Sequence, residues 1–149
     1  NVIMTGARSN SIVASGIILY TIENNQIHFL LLKNATHKAW GFAKGCTKKN
    51  EKIINAAIRE VQEETNLALK IEDLDSGFCD YSSYLLPKSK GKKECVLFLC
   101  KKSIAPNEFK CSNEHEAHTW ASLKEAIKLL NENELKRTII RAYQHILKY

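Results

Sequence analysis

A predicted helix over residues 50–66 leaves the fold few alternatives, because it combines one apolar face with three crowded glutamates. Asn50 is predicted to cap its N-terminus, with Glu51 in the first turn, and Asn66 to end it in the left-handed conformation. One buried face is indicated by apolar residues at helical spacing: Ile54, Ala57, Ile58 and Val61. Such a helix must pack this face against another layer of structure.

Strand patterns on both sides of this helix predict the sheet that it covers. Residues 11–20 and 26–33 are predicted to form a hairpin around a turn at Asn24 and Asn25. Further strands are predicted at residues 76–86, 94–101 and 117–121.

Two more helices are predicted near the C-terminal end of the sequence. A capping box from Ser122 to Glu125 opens the second helix. An apolar stripe predicts the third through Leu135, Ile139, Ala142, Tyr143 and Ile146. The whole pattern predicts a single α+β domain over residues 1–149, with helices packed on a mixed or largely antiparallel sheet.

Charge and cysteine usage add expectations about partners and location. The net charge of +6 favours an anionic partner. The longest apolar runs are too short to span a bilayer, so no membrane partner is expected. No secretory leader is recognised, and the five cysteines lack a Cys-x-x-Cys pair, which is typical of reduced thiols. We therefore expect a cytoplasmic protein, with the nucleus as an alternative.

The three glutamates, Glu60, Glu63 and Glu64, lie within about 100° of arc on the predicted helix. Like charges at this spacing repel one another by roughly 0.2–0.5 kcal/mol per pair. One interpretation is a solvated acidic face, as charge clusters usually are. The other is a site for Mg²⁺, which prefers carboxylate oxygens together with substrate phosphates. The glutamates alone do not decide between the two.

The residues around the glutamates follow a fixed spacing. From Gly45 there are five residues to Glu51, then seven more, then the stretch R-E-V-Q-E-E-T-N-L over residues 59–67. This resembles the Nudix box, G-x5-E-x7-R-E-U-x-E-E-x-G-U, where U is aliphatic. Six of its seven invariant-type positions match, and the seventh has Asn66 in place of glycine.

The resemblance implies a Nudix-type α/β/α sandwich with a mixed sheet and a catalytic loop–helix–loop at residues 45–67. It implies that Glu51 pairs with Arg59 and that Gly45 contributes to the metal site. The implied reaction is attack by a metal-activated water on a phosphorus of a nucleoside diphosphate linked to another moiety. The implied cofactor is Mg²⁺, with Mn²⁺ as an alternative, and its expected ligands are Glu60, Glu63, Glu64, Glu114 and Gly45.

Segments outside the box resemble the animal-type asymmetric diadenosine tetraphosphate hydrolases. The stretch W-G-F-A-K-G at residues 40–45 corresponds to their Trp-Thr-Pro-Pro-Lys-Gly, and residues 112–120 resemble their Ser-His-Glu-His-…-Trp segment. Ala39 replaces the histidine that these relatives have before the tryptophan, and His37 is the candidate to stand in for it.

Roles for individual residues follow from the two resemblances together, those of the box glutamates and Arg59 from the first and the others from the second. Catalytic roles are implied for Glu51, Arg59, Glu60, Glu63, Glu64 and Glu114, where Glu114 is a metal ligand or the general base. Contacts to a dinucleoside polyphosphate are implied for Trp40, Lys44, Tyr84, Lys88 and Lys93. The expected reaction splits diadenosine tetraphosphate asymmetrically into ATP and AMP.

Two alternatives stay open from the sequence. The lysine-rich stretch P-K-S-K-G-K-K at residues 87–93 also suits an inositol pyrophosphate or capped RNA. RNA is the less favoured partner, because this stretch lacks the interleaved aromatic residues on which bases stack. A catalytically silent nucleotide- or RNA-binding module is the other alternative, although the chain keeps every box glutamate. The oligomeric state is not predicted.

Overall fold

A long strand hairpin begins the fold in the computed structural model, which describes residues 11–85, 91–103 and 108–148. β1 (Ser11–Glu23) and β2 (Gln26–Asn34) pair antiparallel. Asn24 and Asn25 join them with φ angles of 51° and 64°. Asparagine tolerates this left-handed conformation, so the predicted hairpin is confirmed.

The sheet that grows from this hairpin is mixed. Its other strands are β3 (Trp40–Gly41), β4 (Ala43–Cys46), β5 (Asp80–Leu85), β6 (Lys92–Lys101) and β7 (His115–Ala121). β1 pairs with β6 in parallel, and the other strand pairs of the described residues are antiparallel. The strands run in the order β3-β2-β1-β6-β5, with β4 also pairing β1 and β7 also pairing β2. The strand predicted at 76–86 thus begins only at Asp80, and residue 86 lies outside the described residues.

Helices cover both faces of the sheet. α1 (Ile53–Thr65) packs on one face, where Ala57 and Val61 join Ile17 and Leu30 in a buried cluster. A second cluster forms on the other face, between the sheet and α2 (Leu123–Leu129) and α3 (Asn133–Lys148). The predicted α/β/α sandwich with a mixed sheet is confirmed.

The predicted start of α1 is wrong. The helix begins at Ile53 after Lys52, whose side chain makes no capping hydrogen bond. Asn50 has a φ of 64°, and the Glu51 N–H donates to the Lys48 carbonyl in a preceding turn. The sequence predicts a capped helix because Asn is favoured at the N-cap and Glu in the first turn. In the structure, Glu51 instead lies ahead of the first helical turn. The predicted end is confirmed, since Asn66 has a φ of 66°.

The buried face of α1 is rotated from the predicted one. Ile54 and Ile58 are only half-buried, whereas Glu60 and Glu64 are buried. The two carboxylates therefore share the inward face with Val61 instead of lying beside it. Burying two acids so close together demands compensation from the surrounding residues.

The two predicted C-terminal helices are present. Ser122 and Glu125 form a capping box, each accepting the other's backbone N–H. The predicted stripe of α3 is buried at Leu135, Ile139 and Ala142. No helix among residues 11–85, 91–103 and 108–148 has the length and apolar character to cross a membrane.

Candidate active site

Arg59 joins the loop before α1 to the glutamates on the helix. Its Nε and Nη2 donate to the two carboxylate oxygens of Glu51, at 2.9 and 3.0 Å. Nη1 donates to Glu60 at 2.9 Å and to both oxygens of Glu63 at 3.2 Å, and Nη2 donates to the Cys46 carbonyl at 3.0 Å. The predicted pair of Glu51 and Arg59 is therefore present, and it holds the loop against the helix.

Glu51 is held firmly ionised by this network. The hydrogen bond from Arg59 is the main reason that the pKa of Glu51 lies below its usual value. Its Oε1 also accepts the Lys48 N–H at 2.9 Å. An aspartate would be too short to bridge both partners, so the position suits glutamate.

Gly45 allows the β4 backbone to lie directly against Glu60. A Cβ at Gly45 would stand 2.2 Å from Oε1 of Glu60 and 2.3 Å from its carboxyl carbon. Any side chain at 45 must displace that carboxylate. Burial is the main reason that the pKa of Glu60 is raised, and the charges of Glu63 and Glu114 add to it.

Glu64 is the most strongly perturbed carboxylate of the cluster. Glu64 is 5% exposed, and its Oε1 accepts the backbone N–H of Lys44 at 3.2 Å. Burial, followed by the negative charges of Glu60 and Glu114, raises the pKa of Glu64 to about 8. The site therefore concentrates negative charge that a cation would stabilise.

The segment at the start of β7 places Glu114 and His115 beside these carboxylates. The Ser112 N–H donates to the Glu64 carbonyl at 3.1 Å, and the Ala35 N–H donates to the Glu114 carbonyl at 2.8 Å. The His115 side chain is 9% exposed, with Nε2 4.0 Å from Oε1 of Glu64. Burial lowers the pKa of His115, which favours the neutral imidazole.

The glutamates face a cavity of about 290 Å³. Its glutamate end is formed by Gly45, Glu60, Glu64 and Glu114. Its aromatic end is formed by Trp40, Phe42 and Leu135, which pack in the core cluster on the α3 side of the sheet. Since α1 carries Glu60 and Glu64 on the opposite face, the cavity draws its lining from both layers of the sandwich.

The structure brings six of the predicted site residues to this cavity: Trp40, Lys44, Gly45, Glu60, Glu64 and Glu114. Glu51 and Arg59 lie behind the lining, and the Glu63 side chain is 54% exposed outside it. Lys93 lies on β6 and does not line the cavity. The Tyr84 side chain and Lys88 fall outside the described part of the structure.

The prediction missed several lining residues, notably Asn34, His115 and Glu132. His37 was considered only as a stand-in, and it also lines the cavity. The signals for the missed residues are weak in one sequence, because they lie far apart in the chain and meet only through folding. For His115 a local signal existed, since it directly follows the predicted Glu114.

The cavity offers carboxylate oxygens, the ligand type that a hard divalent cation prefers. Glu60, Glu64 and Glu114 belong to one cavity, and, after burial, the charge of Glu114 adds to the raised pKa of Glu60 and of Glu64. Within residues 11–85, 91–103 and 108–148, no three acidic, histidine or cysteine side chains converge as a finished metal cluster. The guanidinium of Arg59 pairs with Glu60 at 2.9 Å and with Glu63 at 3.2 Å.

Comparison with known proteins identifies a family and several relatives. A family model described as NUDIX domain matches residues 12–143. The asymmetrical bis(5'-nucleosyl)-tetraphosphatase of Caenorhabditis elegans is 30% identical over 123 residues, covering 82% of this chain and 87% of the relative. The enzyme of the same description from Rattus norvegicus is 29% identical over 141 residues, covering 89% and 94%.

A solved structure resembles the whole molecule. A C. elegans Ap4A hydrolase in a binary complex superimposes with a TM-score of 0.81 at 25% identity. The match covers 93% of this chain and 99% of that one.

Proposed function

This chain belongs to the Nudix hydrolase family, and we propose that it hydrolyses dinucleoside tetraphosphates asymmetrically, splitting diadenosine tetraphosphate into ATP and AMP. The observation that carries the proposal is the two-ended cavity. A row of carboxylates suited to a phosphate-bound cation continues into an aromatic end suited to a base. Similarity to enzymes described as tetraphosphatases over most of their length supports the same substrate.

Members of this family generally use divalent metal ions, and we propose Mg²⁺ here, with Mn²⁺ as an alternative. Glu60, Glu64 and Glu114 would hold the ion, joined by Glu63 and the backbone of Gly45. Bound there, Mg²⁺ would supply Lewis-acid stabilisation of the negative charge that develops on the phosphates.

The residues of the chain position the substrate and take up the proton. Lys44 lines the cavity and donates its backbone N–H to Glu64, and its ammonium would bind a phosphate oxygen. Glu114 comes from a separate segment and is a candidate general base for the attacking water. Water forms a bond to one phosphorus, a bridging P–O bond breaks, and one proton is released.

Arg59 and Glu51 do not line the cavity, so they would act by positioning other residues. Their two-point ion pair fixes the loop that carries Gly45 relative to α1. Arg59 also donates to Glu60 and Glu63, which would hold these carboxylates in place before substrate binds and reduce the ordering cost at the reacting centre.

Contacts beyond the cavity are proposed for Tyr84, Lys88 and Lys93. Tyr84 and Lys93 are direct neighbours across β5 and β6. These contacts would serve the second nucleoside and the outer phosphates of a tetraphosphate that carries two nucleosides.

The test is a product assay with Mg²⁺, Mn²⁺ or a chelator. Diadenosine tetraphosphate, a capped RNA and an inositol pyrophosphate are offered in parallel. We expect metal-dependent conversion of the dinucleotide to equal amounts of ATP and AMP. Cleavage of capped RNA or inositol pyrophosphate without turnover of the dinucleotide would replace the proposed substrate. Nucleotide binding without turnover of any of them would favour the binding-module alternative.

A further inference from the structure

Glu132 is an acidic residue of the cavity lining that the proposed reaction does not use. It lies in the connection between α2 and α3, where its carbonyl accepts the Lys136 N–H at 3.1 Å. The residue is exposed and lines the same cavity as Trp40 and Leu135. Among the described residues, no hydrogen bond or ion pair engages its carboxylate.

The position of Glu132 belongs to the aromatic end of the cavity. Leu135, three residues further along, faces β3 closely: a Cβ at Gly41 would lie 4.0 Å from Leu135 Cδ1. Trp40, next to Gly41, packs against the same core cluster as Leu135. Glu132 therefore shares the lining of this cavity with Trp40 and Leu135, one helical turn before Leu135.

A phosphate-binding role does not suit Glu132. A carboxylate accepts hydrogen bonds and donates none when ionised, so it repels phosphate oxygens. It is also not part of a metal cluster in the described residues. The remaining ligand chemistry at an aromatic surface is a base that presents N–H donors to the carboxylate while its ring packs on the indole.

We propose that Glu132 reads the edge of the bound base and makes the site prefer guanine over adenine. Guanine presents two adjacent donors, N1–H and the 2-amino group, which match the two carboxylate oxygens. Adenine presents one donor, its 6-amino group, beside the acceptor N1, which faces a carboxylate unfavourably. This inference rests on the proposed function, because that function places a nucleoside in this cavity.

The experiment compares diguanosine and diadenosine tetraphosphates as substrates in the presence of Mg²⁺. The wild-type protein should show a kcat/KM about five- to tenfold higher for the guanosine compound, as expected for one exposed charge-assisted contact. Glu132→Gln should abolish this preference or reverse it, since a glutamine side chain offers one donor and one acceptor to adenine.

The matched control is Glu134→Gln. Glu134 lies two residues further on, pairs with Arg137, and does not line the cavity, so this variant should keep the guanine preference. Binding of GMP and AMP is measured in parallel by calorimetry, because it does not depend on turnover. The affinity ratio should follow the same order in the three proteins.

The outcomes separate this inference from the proposed function. Turnover of both dinucleotides without a base preference, or with one that Glu132→Gln leaves intact, overturns the role of Glu132 and leaves the hydrolase proposal standing. Absence of dinucleotide turnover, with a GMP preference that Glu132→Gln removes, overturns the substrate and supports the base-reading role. Equal binding of GMP and AMP by the wild-type protein contradicts the inference directly.

Discussion

The two ends of the cavity are assembled in different ways. Most of the glutamate end comes from residues 45–67, where Arg59 ties the loop to the helix through Glu51 and Glu60. The aromatic end comes from Trp40 on β3, from Phe42 between β3 and β4, and from Leu135 near the start of α3, which meet only in the folded protein. This difference indicates that the catalytic carboxylates are held by contacts within one short segment, whereas the residues that select the substrate are brought together by tertiary packing. Changes at the two ends should therefore affect different kinetic constants.

The largest effect is expected at the glutamate end, from Glu64→Gln. The glutamine carbonyl can still accept the Lys44 N–H, so the fold should persist. Loss of the negative charge should lower kcat by roughly 10²- to 10⁴-fold. Steady-state kinetics and circular dichroism test this, with Glu72→Gln, on the exposed 3-10 turn Ile71–Asp73, as the control. Near-wild-type kcat would remove Glu64 from the reaction.

A pair of glycine variants compares the two ends with the same chemical change. Gly45→Ala places a Cβ 2.2 Å from the Glu60 carboxylate and must displace it, so kcat should fall by about 100-fold. Gly41→Ala adds the same methyl group at the aromatic end, where the nearest atom is Leu135 Cδ1 at 4.0 Å. We expect that variant to retain kcat, and thermal melts should show both proteins folded. Equal losses in the two variants would contradict the division of roles.

At the aromatic end we expect a smaller change that falls on KM. Trp40→Leu keeps an apolar side chain but removes the ring surface for a base, so KM should rise about fivefold with little change in kcat. Trp120→Phe is the control, because Trp120 packs on the α1 side of the sheet and does not line the cavity. A fall in kcat with unchanged KM for Trp40→Leu would place this side chain in the chemical step.

The last expected effect concerns stability without metal, not turnover. The pKa of Glu64 is about 8 in the folded protein against 4.5 as its ordinary value, so folding favours the protonated acid. This contribution is fully present below about pH 4.5 and is lost as pH rises through about 8. Denaturation in chelator should show the free energy of unfolding falling across this range, by at most about 5 kcal/mol for a shift of this size.

Glu64→Gln should flatten that pH dependence, and added Mg²⁺ should restore stability at the upper end. Glu63→Gln serves as the comparison, because its carboxylate is 54% exposed and should contribute little to the slope. A wild-type slope retained in Glu64→Gln would assign the effect to another group.

The same contrast explains how much the sequence could predict. Spacing along one helix brings Glu60, Glu63 and Glu64 together with Arg59, so the glutamate end was predictable from residue pattern. Glu132 reaches the cavity through the packing of the C-terminal helices, which no short motif records, whereas His115 has a local signal because it directly follows Glu114. Lys44, Trp40 and Glu114 were reached only through resemblance to relatives.

Local errors in the prediction have a physical cause too. Asn50 and Glu51 look like a helix start by propensity, but the ion pair of Glu51 with Arg59 uses that carboxylate away from the helix end. The buried face was misplaced because Glu60 and Glu64 are charged and were assigned to the border of the apolar stripe. Both errors fall where the family chemistry overrides the usual preferences of a surface helix.

The most direct test of the account is hydrolysis of diadenosine tetraphosphate with Mg²⁺ in ¹⁸O-labelled water, followed by mass spectrometry of the products. The account predicts ATP and AMP in equal amounts, with the label confined to one of them, because water attacks a single phosphorus off the centre of the chain. Two molecules of ADP, or an unchanged dinucleotide alongside cleavage of a different diphosphate, would contradict it.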